Sequence, residues 1–96
     1  MPTYLTLIEY TEQGIAHMNE SPERLQRARE IAAEHGGELS QFFLTMGEYD
    51  AVVVSTFPDD ESYAKTMLTI AQGGAVRTET LRAFTEGEYR DVCDAL

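Results

Sequence analysis

One pattern occurs twice along this chain: a strand, a helix with a marked start and a glycine stop, then another strand. The first copy opens with "TYLTLIEY" (3–10), rich in β-branched and aromatic residues, which reads as a strand. A polar loop, "TEQGIAHMNE", leads into "SPERLQRAREIAAEHGG". There Ser21 is a good N-cap, and Pro22 suits the first helical position, where its missing N–H costs nothing. Glu23 favours the positive end of the helix dipole and is spaced to pair with Arg27. Leu25, Ala28, Ile31, Ala32 and His35 form one stripe, and Gly36 suits a left-handed cap.

The second copy runs through "ELSQFFLTM" (38–46), a turn at Gly47, and "DAVVVSTF" (50–57). "PDDESYAKTMLTIAQGG" repeats the helix grammar, with Asp59 or Asp60 as cap and Gly73-Gly74 as stop. Its expected buried stripe is Tyr63, Ala64, Met67, Leu68, Ile70 and Ala71. "AVRTETLRAF" (75–84) is the fourth strand. In the tail, Thr85 and Glu88 are spaced as a capping box, and Tyr89, Val92, Cys93 and Leu96 share one helical face. The order β-α-β, β-α-β, α predicts an α+β domain over residues 1–96 of the split βαβ, ferredoxin-like kind. It has a four-stranded antiparallel sheet with both long helices on one face.

That arrangement raises a problem of burial. A sheet with water on one side should alternate apolar and polar residues. Here "FFL" and "AVVV" place apolar groups on both faces, and Tyr4, Leu5, Leu7, Ile8 and Tyr10 leave neither side of the first strand polar. Which face meets the helices cannot be read from such alternation. A second subunit, sheet against sheet in a two-fold homodimer, is the expected cover, because large apolar patches rarely stay solvated. The alternative cover is the short C-terminal helix, which is expected instead at the interface edge or on the neighbouring subunit.

Charge narrows the partners. The chain carries 17 acidic and 7 basic residues, a net charge of −10. Nucleic acids and anionic membrane surfaces draw their affinity from Lys and Arg, so both classes are disfavoured. No apolar run approaches the roughly 18 residues of a membrane span. "MPTYLTLIEY" has neither the basic start nor the apolar stretch of a signal peptide, and the lone Cys93 fits a reducing compartment. The expectation is a cytoplasmic protein.

Four stretches resemble the GYD domain family, small bacterial and archaeal proteins named for a Gly-Tyr-Asp signature. They are "MPTYLTLIEYTEQGI", "SPERLQRAR", "LTMGEYDAVVV" and "GAVRTETLRAF", in order along nearly the whole chain. The signature stands here as Gly47-Glu48-Tyr49-Asp50, with one residue between Gly and Tyr. The resemblance implies a ferredoxin-like fold that pairs into a dimeric α/β barrel. It implies no particular activity, since the family has no well-established biochemical function.

Six residues are candidates for binding a ligand. Tyr49 and Asp50 place a phenol beside a carboxylate, although neighbours on a strand point to opposite faces and a hairpin role explains both. Arg77 could hold an anionic group, with Thr78 and Thr80 lining a small polar pocket. An interface ion pair and simple strand propensity are the structural alternatives. His17 lies in the loop between first strand and first helix, a place for an acid or base but also for a solvated side chain. His17, His35 and Cys93 make no metal-binding spacing, Cys93 reads as a packed thiol, and no metal or cofactor is expected. Phosphate loops, nucleophile elbows and dinucleotide fingerprints do not occur.

Two functional readings follow. One is a homodimer that binds a small organic ligand or a protein partner, without established catalysis. The other is a cofactor-independent oxygenase or isomerase of the dimeric α/β-barrel type, which rests on fold analogy. It requires a pocket of roughly 300 Å³ or more, with His17, a tyrosine or Arg77 pointing inward. A haem-binding variant would need an inward histidine.

Overall fold

A computed structural model describes residues 1–96. The strands are β1 (Thr3–Tyr10), β2 (Glu38–Leu44), β3 (Ala51–Thr56) and β4 (Val76–Ala83). The helices are α1 (Glu12–Ala16), α2 (Ser21–Glu34), α3 (Asp60–Ala71) and α4 (Glu86–Asp94), with a 3₁₀ turn at Met18–Glu20. The sheet order is β2-β3-β1-β4, and each neighbouring pair is antiparallel. This is the α+β, ferredoxin-like arrangement, with a strand inserted into each βαβ unit.

Register assigns the two faces. One carries the cross-strand rows Leu39-Ser55-Tyr4-Arg82, Phe42-Val53-Thr6-Thr80 and Leu44-Ala51-Ile8-Thr78. Its central residues Tyr4, Thr6, Val53 and Ser55 are buried, so this face lies under the helices. The opposite face carries Gln41-Val54-Leu5-Leu81 and Phe43-Val52-Leu7-Glu79. A register shift between Leu39 and Gln41 leaves Ser40 as the extra residue, and its hydroxyl donates to the Val54 carbonyl at 3.0 Å. The bulge turns both Leu39 and Phe42 toward the helices, which strict alternation would forbid.

The core is an aromatic stack. The rings of Tyr4 and Tyr63 lie parallel with centroids 4.1 Å apart, and Phe57 meets Tyr63 edge-on at 5.4 Å. Offset and edge-to-face contacts of this kind suit the ring quadrupoles and add about 0.5–1.5 kcal/mol per pair beyond burial. The phenol of Tyr4 donates to the Asp60 carboxylate at the start of α3, and burial is the larger reason its pKa is pushed up to about 12. The buried Ser55 hydroxyl has no partner.

Several expectations shift in detail. The "TEQGIAHMNE" loop is largely helical, because Thr11 caps α1 by accepting from the Gly14 N–H at 3.1 Å. Gly14 is required there, since a Cβ would stand 2.1 Å from the Ala75 carbonyl oxygen. Ser21 is already helical, with Glu20 at the N-cap of α2, because the 3₁₀ turn delivers the chain in helical geometry. The Glu23–Arg27 pair does not form; the ion pairs are Glu61–Lys65 and Glu86–Arg90. On α3, Asp59 is the cap and the buried positions are Tyr63 and Thr66, whereas Ala64, Leu68 and Ala71 are exposed. Thr66 can turn inward because its hydroxyl donates to the Ser62 carbonyl within the helix. On α4 the capping box forms, but Tyr89, Val92, Cys93 and Leu96 are all exposed, so Cys93 is not the packed thiol expected.

Two stability outcomes follow. Ser55→Ala removes an unpaired buried hydroxyl and should leave stability unchanged or raise it by up to about 1 kcal/mol in urea denaturation. Tyr4→Phe should cost about 0.5–1.5 kcal/mol near neutral pH through the lost hydrogen bond. The raised Tyr4 pKa contributes stability that is whole below pH 10 and is lost as pH climbs toward 12. Urea midpoints measured across that range should therefore fall less steeply for Tyr4→Phe than for the parent chain.

Candidate functional site

Two surfaces stand out, one on each side of the sheet. On the helix side, α2 and α3 do not close fully over the strands and leave a cavity of about 200 Å³. Leu25, Ala28 and Ile31 of α2 and Met67 and Ile70 of α3 form its walls. Ile8, Phe42 and Val53 line it from the strands, with Thr6, Tyr10 and Thr78 supplying hydroxyls. Arg24 and Arg27 also line it, and Arg27 is exposed.

Beside this cavity runs a chain of hydroxyls. The Tyr63 phenol lies 2.6 Å from Thr6 Oγ1 and 2.7 Å from Thr80 Oγ1, so α3 is joined to two strands through one oxygen. A phenol can donate once and accept once, which satisfies both threonines and allows a helix-facing strand position to be polar.

The six candidate residues do not converge. Thr78 lines the cavity, and Thr80 is bonded to Tyr63. His17 is exposed at the end of α1, with Nδ1 3.1 Å from the Gln13 carbonyl oxygen, and borders a shallow depression with Gln13, Glu20 and Arg24. Arg77 is exposed and sits opposite Glu9, on the face away from the helices. Asp50 accepts from the Tyr10 N–H at 2.8 Å, while its own N–H donates to the Ile8 carbonyl at 2.8 Å, clamping the end of β1 to the hairpin. Tyr49 points elsewhere: its phenol reaches across β1 to donate to Glu79 on β4. That hydrogen bond, together with desolvation and the charges of Glu79, Glu48 and Glu9, pushes its pKa up to about 12. Gly47, with φ of 114°, provides the turn between β2 and β3.

Residues at or beside the cavity that were not among the six ligand candidates include Arg24, Arg27, Tyr10 and Tyr63. Arg24 donates to the carbonyls of His17 and Gly14 at 2.9 and 3.3 Å, tying α2 to α1. Its place beside the apolar stripe of Leu25, Ala28 and Ile31 was the available signal, one turn before Ala28.

The second surface is the sheet face away from the helices. Leu5, Leu7, Val52 and Val54 form its centre and are half-buried by their neighbours alone, while Phe43 and Leu81 at its margins are 52% and 45% exposed. Helix α4 does not cover it; Tyr89 on the apolar edge of that helix is 61% exposed. No helix is long and apolar enough to cross a membrane.

Comparison with known proteins gives a consistent picture. Over 84 residues the chain is 32% identical to a Thermus thermophilus protein named glutamine synthetase and cystathionine beta-lyase binding protein, covering 86% of this chain and 88% of that one. A crystal structure of a protein from Thermus thermophilus superposes with a TM-score of 0.57 at 28% identity, over 88% of this chain and 95% of the other. The feast or famine regulatory protein of M. tuberculosis, solved with L-methionine, gives 0.67 at 14% identity. That match covers 88% of this chain but only 51% of the regulator, and at such identity the likeness is one of fold. The GYD domain profile matches residues 4–93, and the chain belongs to the GYD domain family.

Proposed function

We propose that this protein works as a homodimer, sheet packed on sheet, that binds partner proteins. One observation carries the reading: the rows Gln41-Val54-Leu5-Leu81 and Phe43-Val52-Leu7-Glu79 form an apolar face that this chain leaves without a cover. Burial is worth roughly 25 cal/mol per Å² of apolar surface, and a two-fold axis lets one such patch serve as its own complement. The charged residues on this face lie toward its two ends, Glu9, Arg77 and Glu79 at one and Glu38 at the other, where they would form a polar rim. Two such sheets face to face make the dimeric α/β barrel.

Helix α4 fits the same reading. It is held at its start by the Thr85–Glu88 capping box, with bonds of 2.9 and 3.2 Å, yet its apolar edge is open. A helix this short gains most of its stability from packing, and the neighbouring subunit at the interface edge supplies the surface. The partner-binding half of the proposal draws support from the relative whose name records binding to two enzymes.

Val54→Glu places a carboxylate at the centre of the sheet face without touching the helix side. Sedimentation velocity at micromolar concentration should show a dimer for the parent chain and a folded monomer, by circular dichroism, for the variant. Biolayer interferometry against purified glutamine synthetase and cystathionine beta-lyase should show saturable binding by the parent chain. A parent chain that sediments as a monomer, or that binds neither enzyme, contradicts the corresponding half.

A further inference from the structure

The cavity between helices and sheet lies on the opposite side from the proposed dimer face, so what it does is a separate question. Its lining is mostly apolar, which alone would suit any greasy molecule. The two guanidiniums are the unusual feature. Only Lys65 and Arg90 enter ion pairs in this chain, so Arg29, Arg77 and Arg82 are as free of them as Arg24 and Arg27; what sets these two apart is that they line an apolar cavity. Even Glu20, which shares a surface depression with Arg24, stands outside ion-pair distance.

The two arginines also stand three residues apart on α2, so they are neighbours on one face, and like charges so placed repel. An anion between them relieves that repulsion. Both terminal nitrogens of Arg24 donate to the carbonyls of His17 and Gly14, which fixes its positive charge beside the cavity, while the fork of Arg27 has no partner within the chain. Guanidinium matches the planar, two-oxygen geometry of a carboxylate better than an ammonium would. The cavity's apolar walls then decide what the rest of the ligand is.

We infer that this cavity binds a small organic acid, an apolar body whose single carboxylate is held by Arg27 and Arg24. Size sets the class. A cavity of about 150 Å³ is enough for benzene, so 200 Å³ accommodates a branched aliphatic or single-ring acid. Tyr10 and Thr78 line the same cavity and add hydroxyls to its otherwise apolar wall.

Methyl-resolved NMR titration tests this with two probes of equal shape, 4-methylpentanoate and 4-methylpentan-1-ol, on the parent chain and on Arg27→Gln. Arg27 is exposed and makes no hydrogen bond within the chain, so the variant should fold normally. The expected result is saturable shifts at the methyls of Ile8, Ile31, Met67 and Ile70. The acid should bind about tenfold or more tightly to the parent chain than to Arg27→Gln, and the alcohol equally to both. Two results overturn the proposal: no saturable shift at these methyls up to roughly 10 mM acid, or an acid affinity that Arg27→Gln leaves unchanged. Either can occur whether or not the sheets pair.

Discussion

Both faces of this sheet are largely apolar at their centres, and most of the structure is a response to that. The side that the helices cover carries Tyr4, Leu39 and Val53 together with the buried hydroxyls of Thr6 and Ser55, whereas Leu5, Leu7, Val52 and Val54 occupy the side left open. A solitary subunit would be expected to keep its open side polar. The covered hydroxyls cost stability unless they are paired. The apolar open face exposes surface that water disfavours.

The fold answers the first difficulty internally. Tyr63 reaches down from α3 and bonds to both Thr6 and Thr80, while its ring stacks on Tyr4 and meets Phe57 edge-on. One side chain therefore supplies aromatic packing and polar satisfaction together, and Ser55 is the one buried hydroxyl left out. The second difficulty has no internal answer, since α4 projects its apolar edge away from any packed position. The proposed sheet-on-sheet assembly would cover the open face and leave the cavity on the helix side accessible.

Much of this architecture was legible because the local signals are strong. Pro22, Gly36, Asp59 and the Thr85–Glu88 pair mark helix ends by fixed dihedral or capping chemistry, which does not depend on tertiary context. The less legible parts are those that packing decides. Helix α1 lies in a stretch read as a polar loop, and the reason for Gly14 in it, the Ala75 carbonyl pressing on that turn, is visible only in the packed fold. The α3 stripe turned toward Thr66 because a threonine can satisfy its own hydroxyl within the helix, leaving Leu68 outside. For the candidate site, Thr78 was placed beside the cavity, but Tyr49 and Asp50 proved to bond in different directions. Arg24 and Arg27 were hidden on a helix face that reads as solvated charge.

The central claim is that the open sheet face meets its own copy. Isotope-filtered NOE spectroscopy on a mixture of ¹³C-labelled and unlabelled chains observes that contact directly. The account predicts intersubunit cross-peaks from the methyls of Leu5, Leu7, Val52 and Val54. A spectrum without them, with those methyls instead broadened by a soluble paramagnetic probe, would contradict it.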